Sequence, residues 1–346
     1  MGRYWHRQLG LWFGLVLMLV SVSGAILLYK NPLLQWQYPQ LQLPYQSDLA
    51  VWGKVLDQLP QQEYGFARIP TPERPWLELS RHDGTLEYYS ASGQLLLSRT
   101  LYQDWIGWSY QLHMYLFVKD WDHQLLGLAG LLAFALFILG LKISWPRHWN
   151  WRLWRPPAAR QDGRRARHWH WLLGLFTLPL VGWTVLTGTV MVYNKEVTSG
   201  LAWLLNERLP AKAPQLHVDF PLQNSAWSLW LPAAQQAVPE GKIRLASFRK
   251  SANQPLSFRL QLPEEWHPNG RTQLVMDPQT ATVLQLTKAT ELGPATQTMQ
   301  LVYPLHIAAV GGFWYKLLLV AAALLVVLLW WLGLLWRLGR NKKSGN

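Results

Sequence analysis

The chain has 346 residues, with 32 Lys and Arg against 19 Asp and Glu, and a formal net charge of +13. It contains 23 Trp and no Cys, which excludes disulfides, Fe–S clusters, Cys-based zinc sites and thioether-attached haem. Half of it is hydrophobic and 15% is charged, a balance that suits membrane segments joined by polar domains better than a nucleic-acid binder.

The first apolar stretch covers about Gln8–Tyr29. It lacks a small-x-small cleavage site and outruns the roughly 7–15 residues of a signal-peptide core, so it reads as a retained helix. Residues 30–110 are polar, with six basic and eight acidic residues. There "SDLAVWGKVLDQL" has helical spacing behind a Ser/Asp start. "PWLELSRHDGTLEYYSASGQLLLSR" reads as three strands with turns at Asp83-Gly84 and Ser92-Gly93. Residues 111–145 carry a histidine segment and then a second apolar run, Gln124–Trp145.

A basic loop follows at 146–169, with Lys142 and Arg147, Arg152, Arg155, Arg160, Arg164, Arg165 and Arg167 on or beside it against the single acid Asp162. The third helix is expected at 170–193, with its apolar run at Trp171–Val192. Residues 194–302 form a second polar segment, with ten basic and eight acidic residues. "NSAWSLWLPAAQQAV" is its helix, and "KIRLASF", "LSFRLQL", "TQLVMD" and "ATVLQL" are its strands. Residues 303–337 repeat the histidine segment and apolar run (Leu317–Trp336), and 338–346 form a basic tail.

Each apolar run has the roughly 20 residues that a bilayer crossing needs. Lys and Arg gather at Arg3 and Arg7, in the 142–169 region, and at Arg337, Arg340, Lys342 and Lys343. The positive-inside rule makes these regions, and so both termini, cytoplasmic. The two polar segments then lie on the far side of the membrane, the periplasm if this is a bacterial inner membrane. The expected fold is membrane α-helical, four transmembrane helices in two pseudo-symmetric halves, with two small extracytoplasmic α+β units.

The halves come from an internal repeat. Residues 3–29 align without a gap on 167–193 and match at eight positions, including Arg3/Arg167, Trp5/Trp169, His6/His170, Gly10/Gly174, Gly24/Gly188 and Tyr29/Tyr193. "YQLHMYLF" (110–117) likewise aligns with "YPLHIAAV" (303–310), pairing His113 with His306. Both halves cross out and back, so a pseudo-two-fold axis along the membrane normal relates them.

Such an axis puts His6 opposite His170 at the cytoplasmic edge, and His113 opposite His306 near the outer edge. Two imidazoles facing each other across an axis meet the requirement of a bis-histidine haem. Another metal site and purely structural histidines are the other readings of the same spacing. Gly10 and Gly174, each four residues after a histidine, would leave room for a flat cofactor. Gly24 and Gly188 sit in small-residue patches that allow close helix approach. His168 aligns with Tyr4 and points about 200° from His170 on a helix, so it is read as an interfacial residue and not a ligand, with contact to a haem propionate as the other reading. His123 aligns with Lys316 and lies beside Asp120 and Asp122. His82, His148, His217 and His267 fall in or near loops and are read as ordinary polar residues.

"HRQLGLW" and "HWHWLLG" before membrane helices, each Leu-His followed by an apolar helix ending in Gly-Leu (Gly140-Leu141, Gly333-Leu334), and the strand–turn segments "LEYYSASGQLLL" and "TQLVMDPQTATVLQL" together resemble the PepSY-associated transmembrane proteins. The resemblance covers nearly the whole chain. It implies PepSY-like outer units and, as in some members, an inner-membrane di-haem reductase acting on iron held by siderophores. It places His6, His113, His170 and His306 at the haem-ligand positions, with two b-type haems as cofactors and no separate catalytic side chain. The chain departs from the family pattern at "IAAVGGFWYK" after His306 and at His123, where a basic residue is usual.

The implied partners are an Fe(III)-siderophore or other ferric chelate, the lipid bilayer and a separate electron donor. The donor is a quinol or a cytoplasmic reductase, because the chain has neither a G-x-G-x-x-G after a strand nor a P-loop. Trp105, Trp108, Tyr110, Tyr303 and Trp314 are candidates to shape the outer surface near the substrate, with more than half of them read as membrane-interface aromatics. Two rival functions stay open: a non-enzymatic regulator or assembly factor for a periplasmic partner, and a metal or siderophore transporter. The apolar helix centres, with Pro179 as the one obvious breaker, argue against the transporter.

Overall fold

The computed structural model describes residues 1–118, 121, 123–146, 148, 150–155, 162–209, 216–222 and 225–344. Arg147, Arg160, Asp120 and Asp122 lie outside the described residues, as do the side chains of Arg152, Asp162, Arg340, Lys342 and Lys343. In chain order the elements are α1 (Gly2–Leu27), α2 (Lys30–Gln37), α3 (Leu49–Asp57), β1 (Tyr64–Arg68), β2 (Leu77–Arg81), β3 (Leu86–Tyr89), β4 (Leu95–Arg99), α4 (Trp105–Tyr115) and α5 (Gln124–Ser144). They continue with α6 (Asp162–Val192), α7 (Asn194–Leu204), α8 (Trp227–Ala237), β5 (Lys242–Ser247), β6 (Leu256–Gln261), β7 (Thr272–Met276), β8 (Val283–Thr287), α9 (Pro294–His306) and α10 (Gly312–Ser344).

The chain divides into two compact units. The helical unit holds Met1–Leu28, Trp108–Asn194 and Leu305–Asn346. Its four long helices, α1, α5, α6 and α10, are each long and apolar enough to cross a membrane. In this unit α10 packs on α6 and α1, and α5 packs on α1 and α6, closing a four-helix ring. Val181, Ala322 and Val326 form its buried centre. Three of these helices, α1, α6 and α10, start before their apolar stretches. Helix α6 begins at Asp162, because Arg and Ala in "GRRARHW" are good helix formers that hydropathy does not count. It also runs through Pro179 unbroken.

The sheet unit holds Tyr29–Gly107 and Lys195–Pro304. The two polar segments, expected as separate small units, share one antiparallel sheet of eight strands in the order β4-β3-β2-β1-β5-β6-β7-β8. The join is β1 against β5, with Ala67 opposite Ala246. β1, "YGFAR", carries no strong alternation, so it was not evident as a strand. The β2–β3 and β3–β4 turns carry Gly84 (φ 89°) and Gly93 (φ 81°), as their Asp-Gly and Ser-Gly dipeptides indicate.

One face of the sheet is covered by α3 and α8. Trp52 and Leu56 from α3 and Trp227, Trp230 and Leu231 from α8 pack on Leu79, Leu256, Phe258, Leu260 and Leu274. The alternation in "LSFRLQ" puts Leu256, Phe258 and Leu260 inward at 0% exposure. Gly53 permits the close crossing of the two helices, since a Cβ there would meet the Trp227 carbonyl oxygen at 2.5 Å. Asp57 at the end of α3 accepts from the Trp227 and Ser228 amides at 2.5 and 3.1 Å, capping α8. Asp48 caps α3 itself by accepting from the Ala50 amide at 2.8 Å.

Candidate functional site

The four recurring histidines all lie in the helical unit and come together in the two expected pairs. The ring centres of His6 and His170 are 6.3 Å apart, and those of His113 and His306 are 6.0 Å apart. His6 and His170 sit near the starts of the apolar parts of α1 and α6. His113 lies in the last turn of α4, and His306 is the final residue of α9. After each of these two helices the chain enters left-handed backbone, at Leu116 (φ 50°) and Phe117 (φ 63°) in one half and Ala308 (φ 49°) in the other. Non-glycine residues adopt this region only under constraint. The reversal returns the chain to the next long helix directly after the histidine.

Each imidazole rests on a glycine of a neighbouring long helix. A Cβ added to Gly24 of α1 would lie 2.7 Å from His113 Cε1, and one added to Gly188 of α6 would lie 3.2 Å from His306 Cε1. Likewise Gly140 of α5 faces His6 Cε1 at 2.9 Å and Gly333 of α10 faces His170 Cε1 at 3.6 Å. Within each half, therefore, the first long helix carries one histidine and seats the other.

The same seats engage the ring nitrogens. His113 Nδ1 donates to the Val20 carbonyl at 2.9 Å, and His170 Nδ1 donates to the Leu329 carbonyl at 2.8 Å. Val20 and Leu329 each precede the seating glycine by four residues. A helical carbonyl has a second lone pair beyond its i+4 bond, and the missing Cβ of glycine uncovers it. His306 Nδ1 lies 2.9 Å from Thr187 Oγ1, whose own hydrogen goes to the Trp183 or Thr184 carbonyl, leaving the oxygen as acceptor. His6 Nδ1 is buried beside the Leu136 carbonyl, again four residues before its glycine, but without hydrogen-bond geometry among the described residues.

A neutral imidazole that donates from Nδ1 carries a bare lone pair on Nε2, the form that ligates a metal. Two imidazoles bonded to one metal at about 2 Å each through a ring nitrogen place their ring centres about 6 Å apart. Both pairs have that separation, and each supplies two donors. Among the described residues no group of three or more His, Asp and Glu gathers to hold a bare ion. The donor set therefore fits a group that would bring the remaining ligands itself.

Beside His6 and His170 lies a cavity of about 1160 Å³. Gly10, Gly14 and Gly174 line it, so the expectation that the glycines after each histidine leave space holds. Arg3, Arg7, Arg164, Arg167 and Arg337 also line it, and Arg337 Nη1 is buried without a partner among the described residues. Along α1 the step from His6 to Gly24, the seat of His113, is 18 residues, or about 27 Å at 1.5 Å per residue. The two pairs thus stand at opposite ends of the helix.

The other histidines stay apart. His168 lines the same cavity with Nε2 buried, packs against Trp171 and does not face His6. His123 stacks on Tyr115 at 5.0 Å and meets the Met114 carbonyl at 3.1 Å. His267 is 4% exposed, not a loop residue in solvent, and stacks on Tyr303 at 4.8 Å. Tyr303 is accordingly half-buried, whereas Trp105, Trp108 and Trp314 are exposed. Sequence reasoning missed the roles of Gly140, Gly333 and Thr187. The repeated Gly-Leu at both helix ends was the available signal.

These features define a multi-pass membrane protein with two internal histidine pairs and a sheet unit assembled from two segments. The chain belongs to the family described as PepSY-associated TM region, whose model matches residues 3–340. No curated protein matches it.

Proposed function

We propose that the protein is a two-haem, b-type ferric reductase of a bacterial inner membrane. Both termini are cytoplasmic, and the substrate is Fe(III) held by a siderophore or other chelate on the periplasmic side. His6 and His170 would hold one haem through their imidazoles, and His113 and His306 would hold the other. The observation that carries this reading is the separation of the ring centres, 6.3 and 6.0 Å, in two pairs, with Nδ1 of His113, His170 and His306 each on a backbone or hydroxyl acceptor.

Each haem, when bound, supplies a one-electron iron couple, and Fe(II) is held less firmly than Fe(III) by hard oxygen ligands. The chain's own residues do the rest. The glycine seats fix the imidazole planes, and the Nδ1 acceptors set the tautomer. The cavity arginines supply positive charge for carboxylate groups. Placing one pair at each end of α1 suits an electron path across an apolar layer about 30 Å thick. The donor is a separate quinol or cytoplasmic reductase.

The test is an absorption spectrum of the detergent-purified, haem-replete protein before and after dithionite. A Soret band that shifts on reduction, with two haems per chain, is expected. A colourless protein overturns the reading and leaves a non-enzymatic role toward a periplasmic partner.

A further inference from the structure

The sheet face opposite α3 and α8 carries a row of paired residues that crosses all eight strands. From β4 to β8 it runs Leu97, Tyr88, Glu78, Arg68, Leu245, Arg259, Gln273 and Thr287. Directly paired residues project from the same face, so Arg68 and Arg259, two strands apart, stand about 10 Å from each other on it. Arg271 precedes Gln273 by two residues and shares that face, as a diagonal neighbour of Arg259. The His267–Tyr303 stack lies beside them. Tyr303 is within electrostatic reach of Arg68 and Arg271, and His267 of Arg259 and Arg271.

Within this group Glu78 neutralises Arg68, but no acid pairs with Arg259 or Arg271 among the described residues. Arg68 pairs with the buried Glu78 at 2.5 Å, and Arg99 pairs with Asp104. Arg74 donates to the carbonyls of Arg68 and Ile69, and Arg244 donates to Gln261 Oε1. Arg259 and Arg271 have no side-chain hydrogen bond or ion pair among the described residues, and Arg271 Nε is buried. Glu265 lies near Arg271, but its oxygens accept from the amides of Leu262, Arg271 and Thr272 and from the Thr272 hydroxyl. His267 stays neutral, pushed down to about 3 by burial and then by the two arginines. A buried guanidinium N–H without an acceptor is costly to the free protein and is satisfied by an incoming anion.

We propose that this face binds a carboxylate-bearing iron(III) chelate, with Arg259 and Arg271 gripping its carboxylates and the His267–Tyr303 stack as the uncharged wall beside them. The proposal rests on the ferric-reductase reading for the iron, but its recognition chemistry is that of a small organic polyanion.

The probe is gallium(III) citrate, a redox-inert chelate, titrated calorimetrically into the full chain in detergent. Saturable binding is expected, weakened about tenfold or more in Arg259→Gln and in Arg271→Gln, and less in Arg259→Lys, which keeps the charge but loses the fork. Circular dichroism and the haem spectrum should match wild type in all three. No binding to the wild type, or equal affinity in the glutamine variants, overturns the proposal. A site that fills with phosphatidylglycerol nanodiscs and excludes gallium citrate also overturns it, assigning the arginines to lipid headgroups. Because binding is read without electron transfer, a missing Soret band with intact gallium citrate binding sinks only the reductase reading.

Discussion

A Cβ on Gly24 would stand 2.7 Å from His113 Cε1, 89 residues away in the chain. The ring of His113 can occupy its place only because residue 24 has no side chain. The same holds with decreasing severity for Gly140 and Gly188, at 2.9 and 3.2 Å from their histidines, whereas a Cβ on Gly333 would make only ordinary contact at 3.6 Å. This grading makes a prediction. Gly24→Ala should displace His113 and lower the haem content, with an overpacking cost of about 1–3 kcal/mol. Gly333→Ala meets ordinary van der Waals contact and should keep the wild-type complement. Haem-to-protein ratios of the four alanine variants provide the check, and a uniform response would contradict the seating geometry.

The pairing predicts which histidines matter. His6→Ala and His170→Ala should each remove the same haem, leaving about half of the Soret absorbance, and the double variant should lose no more than either single one. His113→Ala and His306→Ala should together remove the other. His168→Ala and His123→Ala should retain both, since the His168 ring packs against Trp171 and the His123 ring stacks on Tyr115. Pyridine haemochrome quantitation separates these outcomes.

Thr187 gives His306 its Nδ1 acceptor at 2.9 Å. Thr187→Val keeps the shape and removes the oxygen. Loss of an outer-shell partner of a metal-bound histidine typically costs about 10–100-fold in affinity. Haem retention during competition with apomyoglobin should therefore fall for the His113–His306 site alone, while the His6–His170 site is unchanged.

His267 makes the sheet unit acid-sensitive. Its folded pKa, about 3, lies below the ordinary value of 6.5. Between those values the unfolded chain binds the extra proton, so stability rises with pH. The contribution is full above about pH 6.5 and is lost as pH falls toward 3. The melting temperature of the detergent-solubilised protein should drop on acidification through this window. His267→Phe should flatten that part of the profile, and an unchanged slope would remove His267 as its cause.

Asp57 joins the two segments of the sheet unit by capping α8 from the end of α3. Asp57→Ala should cost about 1–2 kcal/mol, read as a lower melting temperature with an unaltered haem spectrum.

The four apolar helices, the internal sequence repeat and the four recurring histidines were determined by the sequence itself. Apolar length is a local property, and in-register Arg, Trp, His and Tyr survive comparison of one half with the other. The strands β2 to β8 were also legible, because alternation and turn dipeptides are local. Three things needed the tertiary structure. Whether two polar segments form two sheets or one depends on the edges of β1 and β5, and "YGFAR" carries no mark of its distant partner. Which glycine seats which histidine depends on contacts between helices far apart in the chain, since a glycine in a helix looks alike whether it faces lipid, a helix or a ring. The charge balance of the sheet face away from α3 and α8 was hidden too. Arg68 and Arg259 belong to different segments, and strand pairing alone sets them about 10 Å apart.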